Sequence, residues 1–119
     1  MIIDFRNNSI RYVTENFVRK EHKPLSTNFS EVEILPDGRI LVVEDYYQFH
    51  FENKSNLYCL NRNLEIDWFL SFPNPDFDRN DMYVGFTSNG ERIFANSWAC
   101  FRVEIDINTG ELKSVDFTK

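Results

Sequence analysis

A four-strand pattern is written twice in this chain of 119 residues, once over residues 31–70 and again over 82–117. In both copies a glycine turn (Leu35-Pro36-Asp37-Gly38, then Thr87-Ser88-Asn89-Gly90) leads into a strand (Arg39-Ile40-Leu41-Val42, then Arg92-Ile93-Phe94-Ala95). Each copy then reads as a hairpin, over residues 57–66 in the first and 101–112 in the second. A unit of this size cannot bury its apolar face alone and must stack on a neighbour. The spacing is loose: Leu60 to Ile105 is 45 residues, and Gly38 to Gly90 is 52. Two unrelated meander stretches of a β-sandwich are therefore the alternative to a true repeat.

The local patterns point to strands throughout. Glu31-Val32-Glu33-Ile34 and Tyr47-Gln48-Phe49-His50-Phe51-Glu52 alternate, as half-buried strands do. Ile40-Leu41-Val42-Val43 is apolar at every position, which predicts a strand covered on both faces. Ahead of the repeats, residues 2–5, the turn-prone Arg6-Asn7-Asn8-Ser9 and residues 10–18 read as an opening hairpin. Residues 20–28 read as a loop. Residues 71–81, with Pro73 and Pro75 among Asp and Asn, cannot carry a ladder and form the long connection between the copies. No window keeps apolar residues at helical spacing for more than one turn. The expectation is a single all-β domain over 1–119, an antiparallel meander of about eight to ten strands in two blade-like sheets.

Composition narrows the function. Aromatic residues make up 16%, with 12 Phe, 5 Tyr and 2 Trp, a bias that suits pleated surfaces packed face to face. The formal charge of −6 repels nucleic acid and anionic membranes and favours a basic partner, although mild acidity also serves solubility alone. The first residues, Met1-Ile2-Ile3-Asp4-Phe5-Arg6, hold no apolar run of signal-peptide or membrane-span length, so a cytoplasmic location is expected. Cys59 and Cys100 lack zinc-ligand and redox-pair spacing and read as buried free thiols.

The segment Ile105-Asp106-Ile107-Asn108-Thr109-Gly110-Glu111-Leu112 resembles the outer hairpin of quinoprotein-type β-propeller blades, and residues 58–68 resemble it without the Thr-Gly. The resemblance implies blade-like sheets and no quinone. Two blades are too few for a closed ring, which needs about four. The sheets would instead pack as a sandwich or partial barrel, or associate between chains. In size, acidity, aromatic content and class the chain also resembles the immunity proteins of bacterial contact-dependent inhibition and polymorphic toxin systems. That likeness implies a cytoplasmic protein that binds and neutralises a cognate basic toxin domain, often a nuclease. The other expectations are a self-associating structural or regulatory β module, and a small-ligand binder or enzyme.

Catalytic signatures are weak. The two histidines, His22 in a charged stretch and His50 opposite the rings of its segment, both read as solvated. Neither a nucleophile elbow nor a phosphate-cradling glycine loop occurs. Asp76-Phe77-Asp78-Arg79-Asn80-Asp81 opens like a calcium loop, but its sixth position is Asp81 where glycine is needed and its twelfth is Thr87 where a bidentate Glu is needed. The expectation is a non-catalytic protein without metal or cofactor.

A partner-binding patch should join acids, which steer a basic partner, to rings, which anchor it. Glu44, Asp45 and Tyr46, followed by Tyr47, offer this combination at a strand exit. Asp76, Phe77, Asp78 and Asp81 offer it on the long loop, where the acids would stand in for phosphates.

Overall fold

The computed structural model describes residues 2–6, 8–14, 17–74, 80–89 and 91–118. These form eleven antiparallel strands: β1 Ile2–Arg6, β2 Ser9–Thr14, β3 Phe17–His22, β4 Phe29–Ile34, β5 Ile40–Glu44, β6 Leu57–Leu60, β7 Ile66–Phe69, β8 Tyr83–Asn89, β9 Arg92–Ser97, β10 Phe101–Ile105 and β11 Leu112–Phe117. They run as three consecutive meanders: an N-terminal sheet β1-β2-β3, a middle sheet β4-β5-β6-β7 and a C-terminal sheet β11-β10-β9-β8. None closes into a barrel or propeller. The two four-strand patterns thus fold as two separate four-stranded sheets. A third sheet joins them because the opening hairpin gains β3, which runs to His22 through part of the stretch read as loop.

The middle sheet is covered on both faces, and β5 shows why its sequence has no polar side. Leu41 and Val43 point into the larger core with Leu57, Cys59, Trp68 and Leu70, facing Tyr83, Ile93, Ala95, Val103 and Ile105 of the C-terminal sheet region. Ile40 and Val42 point the other way, with Tyr58 and Leu60, onto Ile10 of the N-terminal sheet. Each fully buried aliphatic side chain here contributes roughly 1.5–3 kcal/mol relative to exposure. Burial raises the Cys59 thiol to about 12, which keeps it an inert protonated core group. Cys100, expected inside, is exposed in a turn with φ 72.

Arg39 of the β4–β5 turn bonds Ile107 of the β10–β11 turn, and Asn56 just before β6 bonds Tyr83 at the start of β8, so the two sheets meet at two distinct ends. At one, the turns at residues 35–39, 61–65 and 106–111 are short and capped by their own side chains. Asp37 accepts from Arg39 N–H, Asn61 from Asn63 and Glu65 N–H, and Asp106 from Asn108 N–H. A clamp joins the two sheets there. The Ile107 carbonyl accepts from the Arg39 guanidinium (2.6 Å) and from Trp68 Nε1–H (3.0 Å). Gly110, at φ 77, lies so close over Trp68 that a Cβ would meet the indole at 2.6 Å. This is the Thr-Gly turn that the sequence singled out.

The opposite end carries residues 23–28, 45–56 and 80–82, together with the turn at 98–100. Here one expected strand is absent. Residues 47–52 form successive turns, with positive φ at Gln48, at Glu52 and at the following Asn53. The meander hands β5 directly to β6, so the segment has no ladder to join. Two of its three rings are nevertheless sequestered: Phe49 and the partly buried Phe51 pack with Phe72 and Met82 in a small core under the loop.

Candidate functional site

Of the two segments selected from the sequence, Glu44, Asp45 and Tyr46 lie at the loop end, where β5 finishes, and so does Asp81, just before β8 begins. Their acids do different things. Glu44 is fully buried, and its carboxylate accepts Leu25 N–H (2.8 Å), Ser26 N–H (3.0 Å), Thr27 N–H (3.1 Å) and the Tyr58 hydroxyl (2.5 Å). It therefore ties residues 25–27 to β5 and β6 and faces no solvent, unlike the exposed strand exit expected for it. The Tyr58 hydroxyl gives its single proton to Glu44 and so must accept from His22 Nε2, 2.8 Å away. That fixes the tautomer of His22 with hydrogen on Nε2. Desolvation lowers the pKa of His22 below its usual 6.5 against the opposing pull of Glu44. The ring read as solvated is thus a buried strut between the N-terminal and middle sheets. Burial, and then the bond to Glu44, push the Tyr58 phenol upward.

Two further buried groups fasten the loop end to the C-terminal sheet. Asn56 donates to the carbonyls of Glu44 (2.6 Å) and Tyr83 (2.7 Å) and accepts from Tyr83 N–H (2.8 Å). Asp81, 2% exposed, accepts the Ser97 hydroxyl (2.7 Å) and Ala99 N–H (2.8 Å). Asp81 thus shapes the turn at 98–100 from inside and is not offered to a partner. Asp76, Phe77 and Asp78 lie outside the described residues.

On this framework stand exposed rings. Tyr46 stacks on Trp98 with ring centroids 5.9 Å apart and planes at 18°, one ring from the loop after β5 and the other from the turn after β9. Tyr46 is 40% exposed, Tyr47 69% and Trp98 67%. Asp45 stays at the surface, where its carboxylate accepts Tyr47 N–H (3.0 Å) and fixes the turn that presents both tyrosines. Trp98 N–H donates to the Met82 carbonyl (2.9 Å), which fixes the other side. Phe101 and Phe117 form a second ring pair at 5.3 Å at the same end, with Phe117 61% exposed.

Of the expected patch, then, Asp45 and Tyr46 are at the surface and Glu44 and Asp81 are beneath it as supports. Tyr47, which follows Tyr46 in the same segment, is exposed as well, and Trp98 is the exposed ring that the sequence reading lacks. The signal for Trp98 was present: a tryptophan placed between two strand segments only a few residues apart belongs at the tip of a turn. Tyr47 belongs both to the expected strand-exit patch and to an alternating strand over 47–52, and that strand does not form.

The family model described as a domain of unknown function, DUF7957, matches residues 18–117, from within β3 to the end of β11. The chain belongs to the DUF7957 family. Its match spans both four-stranded sheets and every described residue of the loop end. No curated protein matches the chain.

Chemically, the loop end of this DUF7957 domain offers flat aromatic surface held by satisfied polar groups. Among the described residues no buried side-chain nitrogen or oxygen lacks a partner, and no three His, Cys, Asp or Glu side chains are placed to hold a metal ion. The described residues contain no helix long and apolar enough to cross a membrane.

Proposed function

We propose that this DUF7957 domain is a non-catalytic protein-binding module that docks a basic partner through its loop end. The observation that carries the reading is the Tyr46–Trp98 stack beside Tyr47, three exposed rings from the loop after β5 and the turn after β9. Tryptophan and tyrosine are the side chains most often dominant at interfaces, and loops on a rigid sheet scaffold are where such contacts sit. Asp45 beside the rings and the overall charge of −6 supply the steering field for a cationic surface. The specific form of the proposal is a cytoplasmic immunity protein that neutralises a basic toxin domain, supported by size, acidity and fold class. A free exposed thiol at Cys100 is in keeping with a reducing compartment.

Co-expression with the product of the adjacent reading frame, read by cell survival and co-purification, tests this form. Survival that depends on the domain, together with a complex lost in Trp98→Ala, is the expected result. A harmless neighbour that does not co-purify overturns it. A second reading, self-association, is favoured by one observation: β11 is an edge strand of its sheet with Val115 and Phe117 exposed. Mass in solution that rises with concentration would decide for it.

A further inference from the structure

The end of the stack opposite the aromatic surface holds a groove of about 450 Å³ between the middle and C-terminal sheets. One wall is the end of β4 with its turn, and the other holds Ser88 of β8, Glu91 just before β9 and Ile93 of β9. The lining is apolar at Leu35, Pro36, Ile93 and Ile107 and acidic at Glu33, Asp37 and Glu91. Its size lies within the range of ligand-binding clefts, roughly 300–1,000 Å³.

The charges divide into engaged and free. Arg39, the cation of the lining, is held at the back by Asp37 (2.8 Å), the Ile107 carbonyl (2.6 Å) and Asn108 (3.4 Å), with Asp67 at 3.7 Å. Asp37 is thereby neutralised, and Arg39 lowers its pKa first through a backbone N–H bond and then through its guanidinium. Among the described residues no cation lies within ion-pair distance of Glu33 or Glu91. Two carboxylates from different sheets therefore border one apolar trench.

We propose that this groove binds an arginine or lysine side chain carried by an extended basic segment of a partner protein. The apolar walls accept the aliphatic stem, and the carboxylates of Glu33 and Glu91 accept the charged head, the division of labour that long cationic side chains are built for. Arginine is preferred over lysine, because its planar fork pairs with a carboxylate through two parallel N–H bonds. The site goes beyond the loop-end reading and stands if that reading fails, since it shares no residue with the aromatic surface.

The test titrates isotope-labelled domain with a capped peptide of alternating arginine and leucine, with its glutamate counterpart as control, and follows backbone amide shifts. The site predicts saturable shifts over residues 33–39 and 88–93, none at Tyr46 or Trp98, and no effect of the glutamate peptide. The double variant Glu33→Gln with Glu91→Gln should keep its melting temperature and bind at least about tenfold more weakly, while Trp98→Ala binds as the parent does. Absence of saturable shifts overturns the proposal, as do shifts spread over acids at both ends, or a double variant that binds unchanged. Equal affinity for free argininamide also overturns it, in favour of a small-cation site.

Discussion

At the turn end, the connections between strands are short, their caps are made by Asp37, Asn61 and Asp106 within each turn, and Arg39 and Trp68 meet at one carbonyl. At the loop end the same strands are joined by long excursions, and the holding groups act over long sequence distances: Glu44 reaches residues 25–27, Asn56 reaches Tyr83, and Asp81 reaches Ala99. The turn end is capped by local chemistry and clamped across the sheets at the Ile107 carbonyl, which keeps the Trp68 ring inside. The loop end is made by buried polar struts, which allow rings to stand outside. Recognition surfaces need that second construction, because a surface loop must be rigid without burying the side chains it displays.

Breaking a strut should cost the loop end most. Glu44→Gln replaces an acceptor-only group by one whose NH2 faces backbone donors, leaving several buried groups unpaired. It should destabilise the fold by about 3 kcal/mol or more in urea denaturation. Asn56→Ala removes three bonds at the junction of two sheets and should cost about 2–3 kcal/mol by the same measurement. At the turn end, Gly110→Ala meets both a left-handed backbone and the Trp68 ring, and about 2–3 kcal/mol is expected. These effects differ in kind: the first two should also increase hydrogen exchange at 25–27 and 45–56, whereas the Gly110 change should leave those amides as protected as global stability allows.

Acidity separates the ends more gently. The folded-state pKa of His22 is depressed below 6.5, so the unfolded chain takes up the proton first as pH falls. Stability contributed by the neutral ring is complete above the unfolded value and is lost as pH falls through 6.5 toward the folded one. Denaturation midpoints should therefore drop across this interval, and His22→Gln, which can still donate to Tyr58, should flatten that part of the profile. The lowered carboxyl groups Asp37, Glu21 and Glu104 act only at lower pH, below about 4–4.5. Smallest of all, Trp98→Ala should change stability by no more than about 0.5 kcal/mol, because the ring is largely exposed, yet it should weaken partner binding by about 2 kcal/mol or more.

What could be read from the sequence follows the same division. Alternation, the unbroken apolar run at β5 and the turn residues of the two hairpins are local signals, and they located the four-stranded sheets and their turn end. The loop end depends on pairings between distant residues. Glu44 has the composition of an exposed acid, and only residues 25–27 and Tyr58, brought in by two other segments, explain its burial. His22 lies among charges in sequence and under Tyr58 in space. Residues 47–52 alternate as a strand does because Phe49 and Phe51 are indeed sequestered, but by turns over Phe72 and Met82 and not by a ladder. Asp81 reads from the sequence as an exposed acid on the long loop, and its inward bond to Ser97 cannot be read from residue type.

The most direct test is hydrogen exchange of the DUF7957 domain alone and in complex with the product of the adjacent reading frame. Added protection concentrated at residues 45–47 and 98–101 is the predicted result. A complex that protects other surfaces and leaves these amides unchanged, or no complex at all, would contradict the assignment of recognition to the loop end.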